Sequence, residues 1–158
     1  MARKSAYPPH PRRITLEYNL ITEHIYLGTN QCCRAHFEES LLKAGVMADI
    51  SLEHEHLDTP FGVDFFLWLP VVDKQPPSQQ QLLVGARTIK DLVDNNIKVY
   101  VHCKRGHQRG PTLVAAYFIL EGLGPRSAIK RVRDKRMIHL TRGQMKALSK
   151  FSRLVAHK

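Results

Sequence analysis

Short apolar runs alternate along the chain with longer segments in which apolar and polar residues recur at helical spacing. The apolar runs are rich in β-branched and aromatic residues, which predicts strands at residues 14–20, 24–27, 46–52, 65–72 and 97–102. The periodic segments predict helices at residues 31–43, 78–95, 111–123, 125–136 and 144–156. Because strands alternate with helices, we expect an α/β fold with a mostly parallel central sheet that is flanked by helices on both faces.

Residues at the ends of the predicted helices support these boundaries. Ser78 stands three residues before Gln81, which is the spacing of a capping box, and Thr141 stands in the same relation to Gln144. Gly45 follows the first predicted helix at the position where a left-handed residue commonly ends a helix. These residues therefore predict two helix starts and one helix end independently of the periodicity.

The composition is that of one ordinary globular domain. The chain has 158 residues, of which 43% are hydrophobic and 24% are charged. We expect residues 1–13 to form a basic, proline-rich tail and residues 14–158 to form a single domain. The tail lacks the apolar stretch of a secretory signal, and no run reaches the roughly 18 apolar residues of a membrane span. Cys32, Cys33 and Cys103 do not resemble a disulfide framework, which favours the reducing cytoplasm.

The net charge of +10 is unevenly distributed. Residues 98–158 contain 15 lysines and arginines against two acidic residues, whereas residues 1–97 contain 9 against 12. The positive half would attract anionic substrates, and peripheral contact with an anionic membrane is compatible with it. A nucleic-acid partner is not expected, because no basic stripe is interleaved with aromatic residues and no known reader motif is present.

One stretch combines a strand, a polar loop and a helix. The predicted strand at 97–102 runs into a loop that starts at Cys103 and ends at Arg109, and a predicted helix follows. Loop amides and a helix N-terminus that surround one point form an anion site, to which Arg109 would add a planar fork for two phosphate oxygens. The same groups favour a thiolate at Cys103, which would be a nucleophile beneath a bound phosphate. The alternative is an inert cysteine at the end of a buried strand.

This stretch resembles the cysteine-dependent dual-specificity phosphatases of the protein-tyrosine phosphatase superfamily, whose signature is H-C-x-x-G-x-x-R. Four residues match it: His102, Cys103, Gly106 and Arg109. The resemblance implies hydrolysis of phosphate monoesters through a phosphocysteine, without a cofactor. It also implies that phosphate is bound by the loop residues Lys104, Arg105, Gly106, His107, Gln108 and Arg109.

The position after the signature departs from the family pattern. Relatives carry Ser or Thr there, and this hydroxyl helps the cysteine sulfur to leave in the second step. Here Gly110 occupies the position, and Thr112 is the nearest hydroxyl in the sequence. We therefore expect a slow breakdown of the phosphocysteine.

A second element is the apolar strand that runs into a proline-containing loop at Asp73. Departure of an alkoxide or phenoxide from phosphorus requires a proton, and a positioned carboxylic acid can supply it. The family carries an aspartate in such a loop about thirty residues before its cysteine, and Asp73 precedes Cys103 by 30 residues. The resemblance thus implies that Asp73 is the general acid; the alternative is a turn aspartate with a local backbone hydrogen bond.

Two further residues have predicted supporting roles. The resemblance implies that His102 lies behind the loop and holds backbone carbonyls. Gln144 falls where some relatives keep a glutamine that orients the hydrolytic water, and the capping box is an equal alternative. The segments 114–119 and 138–144 also show a looser similarity to the mitochondrial-type phosphatidylglycerophosphate phosphatase subgroup.

Two clusters have residue types that bind metals. His54 and His56, which alternate with Glu53 and Glu55, could share one face of an extended chain, but the spacing supplies no third ligand. The segment 32–36, with two cysteines and a histidine, is equally weak as a ligand set. We therefore predict no metal site. A reversible disulfide between Cys103 and either Cys32 or Cys33 is a further alternative that we do not favour.

Three functions remain open at this point. The first is a protein phosphatase for phosphotyrosine, phosphoserine and phosphothreonine. The second is the same chemistry on a phospholipid or inositol phosphate headgroup, because H-C-K-x-G loops with a further basic residue are similar to those of lipid phosphatases. The third, suggested by Gly110, is a phosphate-binding module with weak turnover.

Overall fold

The computed structural model describes residues 13–33 and 35–157. Five strands form one sheet in the order β1-β2-β5-β3-β4. They are β1 (Tyr18–Leu20), β2 (Ile25–Gly28), β3 (Val46–Glu53), β4 (Phe65–Val71) and β5 (Lys98–His102). Strands β2, β5, β3 and β4 run parallel, and β1 pairs antiparallel with β2 at one edge. The predicted mostly parallel sheet is confirmed.

Helices cover the two faces of the sheet unequally. They are α1 (Glu39–Lys43), α2 (Gln79–Asp94), α3 (Arg109–Leu120), α4 (Pro125–Arg133) and α5 (Arg142–Ala156), with a short 3₁₀ helix at Asn30–Cys32. Alternation along β5 separates the faces, because Val99 and Val101 belong to the large core while Tyr100 belongs to a second, smaller one. The large core includes residues of α2 to α5, and the small one includes Leu41 of α1.

The predicted helix at residues 31–43 is wrong. Of the described residues in this segment, only the 3₁₀ helix and the five residues of α1 are helical. The carbonyl of Cys33 accepts a hydrogen bond from the Thr59 amide, and the Phe37 amide donates to the carbonyl of Phe61. The backbone groups of Cys33 and Phe37 therefore pair with a distant loop instead of with the next turn of a helix, and Cys32 and Cys33 are buried.

Several element ends differ from the prediction by a few residues. Helix α3 starts at Arg109 instead of residue 111, and α4 ends at Arg133 instead of residue 136. Helix α5 starts at Arg142, and β1 is limited to Tyr18–Leu20 of the predicted 14–20. The capping box predicted at Ser78 is confirmed, and the one at Thr141, which was one of two alternatives for Gln144, is present.

The predicted tail at residues 1–13 lies outside the described residues, apart from Arg13. Among the described helices, none combines the length and the apolar character that crossing a membrane would require.

Candidate active site

The loop between β5 and α3 curls tightly around one point. Strand β5 lies in the middle of the sheet and ends at His102, and α3 begins at Arg109. Gly106 has a φ of +71°, and a Cβ there would lie 2.6 Å from the carbonyl oxygen of Gly28. The curl thus requires glycine at this position, both for its left-handed backbone and for the close approach of β2.

Cys103 lies at the floor of this curl. Its side chain is buried, and the backbone amide of Gly110 donates to Sγ at 3.4 Å. That amide belongs to the first turn of α3, so the positive end of the helix dipole faces the sulfur. Cys103 is one of three free cysteines in the chain, together with Cys32 and Cys33.

Arg109 is held in place by an acidic partner. Its Nη1 and Nη2 donate to the two carboxylate oxygens of Glu55 at 2.9 and 2.7 Å, and Nη1 also donates to the carbonyl of Val71 at 2.7 Å. Burial opposes the guanidinium charge, but these contacts outweigh it and raise the pKa of Arg109. The same hydrogen bonds lower the pKa of Glu55. One edge of the guanidinium is therefore anchored, and the edge formed by Nε and Nη2 is left to face a ligand.

Asp73 reaches the same place from the turn after β4. Its Oδ1 lies 3.4 Å from Nη2 of Arg109, and its side chain is 59% exposed. Asp73, Cys103 and Arg109 line one pocket. The structure thus brings together the three residues that were predicted to carry the chemistry.

The rim of this pocket is strongly basic. Its other lining residues are Lys74, Lys104, Arg105, His107, Gln108 and His139. His139 was not predicted; its amide donates to the carbonyl of His107, and the two rings lie 5.0 Å apart in an edge-to-face arrangement. A ligand with more than one negative charge would therefore meet cations beyond Arg109.

The sequence matches a known protein family over the segment that contains Asp73, Cys103 and Arg109. Residues 27–123 match the family described as "Tc-R-P: Polymorphic toxin system, DSP-PTPase phosphatase". The matched segment covers more than half of the chain. The chain belongs to the DSP-PTPase phosphatase family.

Individual relatives of this DSP-PTPase phosphatase chain share parts of its sequence. The human phosphatidylglycerophosphatase and protein-tyrosine phosphatase 1 is 39% identical over 59 residues, which are 36% of this chain and 29% of the human protein. The aligned part thus spans less than a third of that relative.

Solved structures show a similar fold over most of the chain. A crystal structure of PTPMT1 superposes with a TM-score of 0.76 at 25% identity, and a complex of PTPMT1 with PI(5)P superposes with 0.77 at 24%. Both comparisons cover 89% of this chain and 97% of the other. Tk-PTP in its active form gives 0.68 at 28% identity, covering 86% and 96%.

His102 of this DSP-PTPase phosphatase chain has different contacts from those predicted. Its Nδ1 has no hydrogen-bond partner among the described residues, and Nε2 lies 3.0 Å from Oδ1 of Asp49 and 3.5 Å from Sγ of Cys33. The expected contact with backbone carbonyls is therefore wrong. Burial opposes a charged ring, but Asp49 and then Cys33 outweigh it and raise the pKa of His102 well above its usual value.

The hydroxyl of Thr112 is engaged elsewhere in the loop. Its Oγ1 donates to the carbonyl of Gln108 at 2.6 Å, and the residue is fully buried. By contrast, a Cβ at Gly110 would lie 3.7 Å from Sγ of Cys103. Position 110, at which the family carries a hydroxyl, therefore adjoins the sulfur. The hydroxyl of Thr112 stabilises the backbone of the loop and does not replace the missing group.

Gln144 has a structural role in the α5 capping box. Its backbone amide donates to Oγ1 of Thr141, while its side-chain oxygen accepts from the Thr141 amide. Its Nε2 donates to the carbonyl of Gln75 at 3.2 Å, which links α5 to the turn that carries Asp73. The role in orienting water stays a prediction.

Sequence reasoning missed two arginine contacts that shape the loop. One is the pairing of Arg109 with Glu55, for which the sequence predicted no partner. The other is Arg136, whose buried guanidinium donates to the carbonyls of Gly106 and Arg105 at 2.8 and 2.9 Å and to Oδ1 of Asn19 at 2.8 Å. The sequence indicated these contacts only through the acidic residues after β3 and the basic residue just beyond α4. Their partners can be assigned only in the folded chain.

Proposed function

We propose that this chain hydrolyses phosphate monoesters through a phosphocysteine intermediate, with residues 14–158 as the catalytic unit. The observation that carries the proposal is the pocket in which Cys103 forms the floor, Arg109 is fixed by Glu55 and Asp73 faces both from another loop. A buried sulfur below a fixed guanidinium fits a tetrahedral dianion and little else of similar size.

In the first step, Nε and Nη2 of Arg109 and the loop amides hold the phosphate oxygens. The thiolate of Cys103 forms a bond to phosphorus as the bond from phosphorus to the ester oxygen breaks. Asp73, as the protonated acid, donates its proton to the departing oxygen, so that an alcohol or phenol leaves.

In the second step, Asp73 acts as a base. Its carboxylate takes a proton from a water molecule as the water oxygen attacks phosphorus and the bond to sulfur breaks. Inorganic phosphate and the Cys103 thiolate are the products. Since no hydroxyl at Gly110 stabilises the departing thiolate, this step is expected to be the slower one.

The first substrate class that we propose is phosphotyrosine, phosphoserine and phosphothreonine in proteins. The second candidate is a phospholipid or inositol phosphate headgroup, and the basic rim of Lys74, Lys104 and Arg105 favours it because such headgroups carry several negative charges. The human relative's printed name includes both kinds of substrate. We keep the cytoplasm as the proposed location and propose no cofactor for this reaction.

The test of the chemistry is hydrolysis of para-nitrophenyl phosphate by wild type, Cys103→Ser, Asp73→Asn and the control Asp64→Asn, an exposed acid near the start of β4. Loss of the nucleophile should reduce the rate to background, and Asp73→Asn should lower kcat by roughly 10²–10⁴-fold. Asp64→Asn should match wild type. Equal rates for wild type and Cys103→Ser would reject the enzyme and leave a phosphate-binding module.

The substrate class is tested by a separate panel. Wild type would be given phosphotyrosine, phosphoserine and phosphothreonine peptides, phosphatidylglycerophosphate and phosphoinositides in vesicles, and released phosphate would be measured. A kcat/KM for a lipid at least tenfold above every peptide would overturn the protein-phosphatase assignment in favour of the second candidate.

A further inference from the structure

Four side chains that the proposed reaction does not use converge behind the active-site cysteine. Cys32 and Cys33 lie at the end of the 3₁₀ helix, Asp49 lies in the middle of β3 and His102 ends β5. One potential ligand atom from each lies within 4.8 Å of the others, and all four residues are buried. We propose that these four residues bind one zinc ion.

The contacts around Nε2 of His102 are those of a ligand set. Oδ1 of Asp49 lies 3.0 Å away, Sγ of Cys33 3.5 Å and Oδ2 of Asp58 3.6 Å. A single N–H can donate to only one of these three atoms. An ion that is bound by the ring nitrogen, a carboxylate oxygen and a sulfur brings them together without such a conflict.

Burial of the Asp49 carboxylate costs free energy unless a further cation neutralises it. Its side chain is fully buried, and among residues 13–33 and 35–157 the one donor recorded near its oxygens is Nε2 of His102, 3.0 Å from Oδ1. A buried carboxylate with one donor, which Cys33 and Asp58 also approach, is destabilising. A divalent ion would neutralise it together with the thiolate charge.

The residue types select the ion. Two sulfurs, one imidazole and one carboxylate suit zinc, whereas magnesium and calcium prefer oxygen ligands. In a tetrahedral zinc site, neighbouring ligand atoms are about 3.3–3.8 Å apart. The pairs of His102 with Cys33 and with Asp49 are within a few tenths of an ångström of this range, and the two sulfurs, 2.7 Å apart, would have to separate by roughly 1 Å.

The site would be structural, because four protein ligands leave no position for a substrate. It would tie the 3₁₀ helix to β3 and β5. The same segment contacts the phosphate loop, since the Asn30 amide donates to the carbonyl of Lys104 at 3.3 Å. This inference departs from the sequence-based expectation of no metal, and it does not depend on the proposed function.

The experiment is metal analysis of the purified full-length chain. Reduced protein would be loaded with one equivalent of ZnSO₄, passed through a desalting column and analysed by mass spectrometry for metals. We expect about one zinc per wild-type chain and the same for Cys103→Ser, because the active-site thiol is not a ligand. The double variant Cys32→Ser/Cys33→Ser should lose the zinc.

An absorption spectrum of wild type tests the zinc site without relying on a correctly folded double variant. Replacement of zinc by Co²⁺ should give intense visible bands of tetrahedral cobalt and a sulfur-to-cobalt charge-transfer band. Zinc should also raise the Tm of wild type, and EDTA should reverse the rise.

Three results would overturn the proposal. One is wild type that holds no zinc after loading and shows only the spectrum of hydrated cobalt. Another is loss of zinc in Cys103→Ser, which would place the ion in the active-site pocket. The third is a thiol count of zero in Cys103→Ser under denaturing conditions without reductant, because Cys32 and Cys33 would then form a disulfide with each other.

Discussion

Two charged clusters lie on either side of the end of β5, and they are balanced in different ways. On the pocket side, the guanidinium of Arg109 meets the carboxylate of Glu55 in a two-point pairing, with a carbonyl as third acceptor. On the other side, Asp49 and two cysteines face a single nitrogen of His102. Donors and acceptors alternate in the first cluster, and acceptors crowd together in the second.

This difference separates what the chain completes by itself from what it leaves for a ligand. Glu55 satisfies one edge of Arg109 before any substrate arrives, so the other edge is already oriented toward the pocket. Among the described residues, the cluster around Asp49 has only Nε2 of His102 as a donor, and three acceptors approach it. The pocket side is therefore arranged for a transient anion, and the opposite side for a resident cation.

The largest effect should come from a substitution that removes the planar guanidinium of Arg109 and keeps its positive charge. Arg109→Lys leaves a cation but loses both the two-point contact with Glu55 and the edge for phosphate. We expect kcat/KM to fall by roughly 10²–10⁴-fold, since two charge-assisted hydrogen bonds are lost. Steady-state kinetics with para-nitrophenyl phosphate would measure the fall.

The control for this variant is Arg105→Lys in the same loop. This exchange keeps the positive charge that Arg105 places at the rim of the pocket, so we expect less than about a tenfold change. Equal activity of Arg109→Lys and Arg105→Lys would show that the guanidinium geometry of Arg109 is irrelevant to catalysis. The contrast between the two clusters would then have no functional consequence.

Next in size is the loss of Arg136, which holds the loop from behind. Arg136→Met removes donors to two loop carbonyls and to Asn19, and we expect unfolding free energy to fall by about 2–4 kcal/mol. Urea denaturation would measure it. Arg133→Met, an exposed neighbour at the end of α4, should change stability by less than about 0.5 kcal/mol. Similar values for both variants would show that these hydrogen bonds contribute no net stability.

A smaller effect is expected from neutralising the partner of Arg109. Glu55→Gln should destabilise the fold by about 1–2 kcal/mol, less than a fully buried pair, because the Glu55 side chain is 39% exposed. Urea denaturation at pH 7 measures this difference. Glu39→Gln breaks an exposed pair with Lys43 and serves as the control, for which roughly 0–0.5 kcal/mol is expected.

The lowered pKa of Glu55 predicts in which direction the stability difference between wild type and Glu55→Gln changes with pH. Because Arg109 lowers the pKa of Glu55 in the folded chain, the carboxylate contributes stability above its unfolded value of 4.5, and this contribution is lost as the pH falls through the lower folded pKa. The difference in unfolding free energy between wild type and Glu55→Gln should therefore be full at pH 7 and shrink in acid. A difference that grows toward low pH would contradict the pairing.

Sequence alone could predict what is encoded locally. The apolar runs and capping residues indicate the strands and α2 to α5, and the stretch from His102 to Arg109 contains the cysteine and the arginine of the pocket. It could not pair Arg109 with Glu55, since 54 residues separate them and their contact depends on β3 lying beside β5. The failed helix at 31–43 has the same cause, because its backbone partners lie near residue 60.

The smallest predicted effect concerns Gly110, where the pocket side lacks a group that its family carries. A side chain at this position starts 3.7 Å from Sγ of Cys103 and 3.0 Å from Cδ1 of Leu27, so Leu27 must shift slightly to admit it. In Gly110→Ser, the hydroxyl would donate to the departing thiolate. One such hydrogen bond of about 1–2 kcal/mol corresponds to a roughly 5–30-fold faster breakdown of the phosphocysteine.

Gly110→Ala is the matched control, because it adds the same Cβ and the same contact with Leu27 but no hydroxyl. Rapid mixing with para-nitrophenyl phosphate separates the steps: a burst of nitrophenol reports formation of the phosphocysteine, and the steady rate reports its breakdown. Serine should shrink the burst and raise the steady rate relative to alanine. Equal traces for the two variants would mean that the backbone amide of Gly110 already stabilises the sulfur sufficiently, and that the missing hydroxyl does not limit turnover.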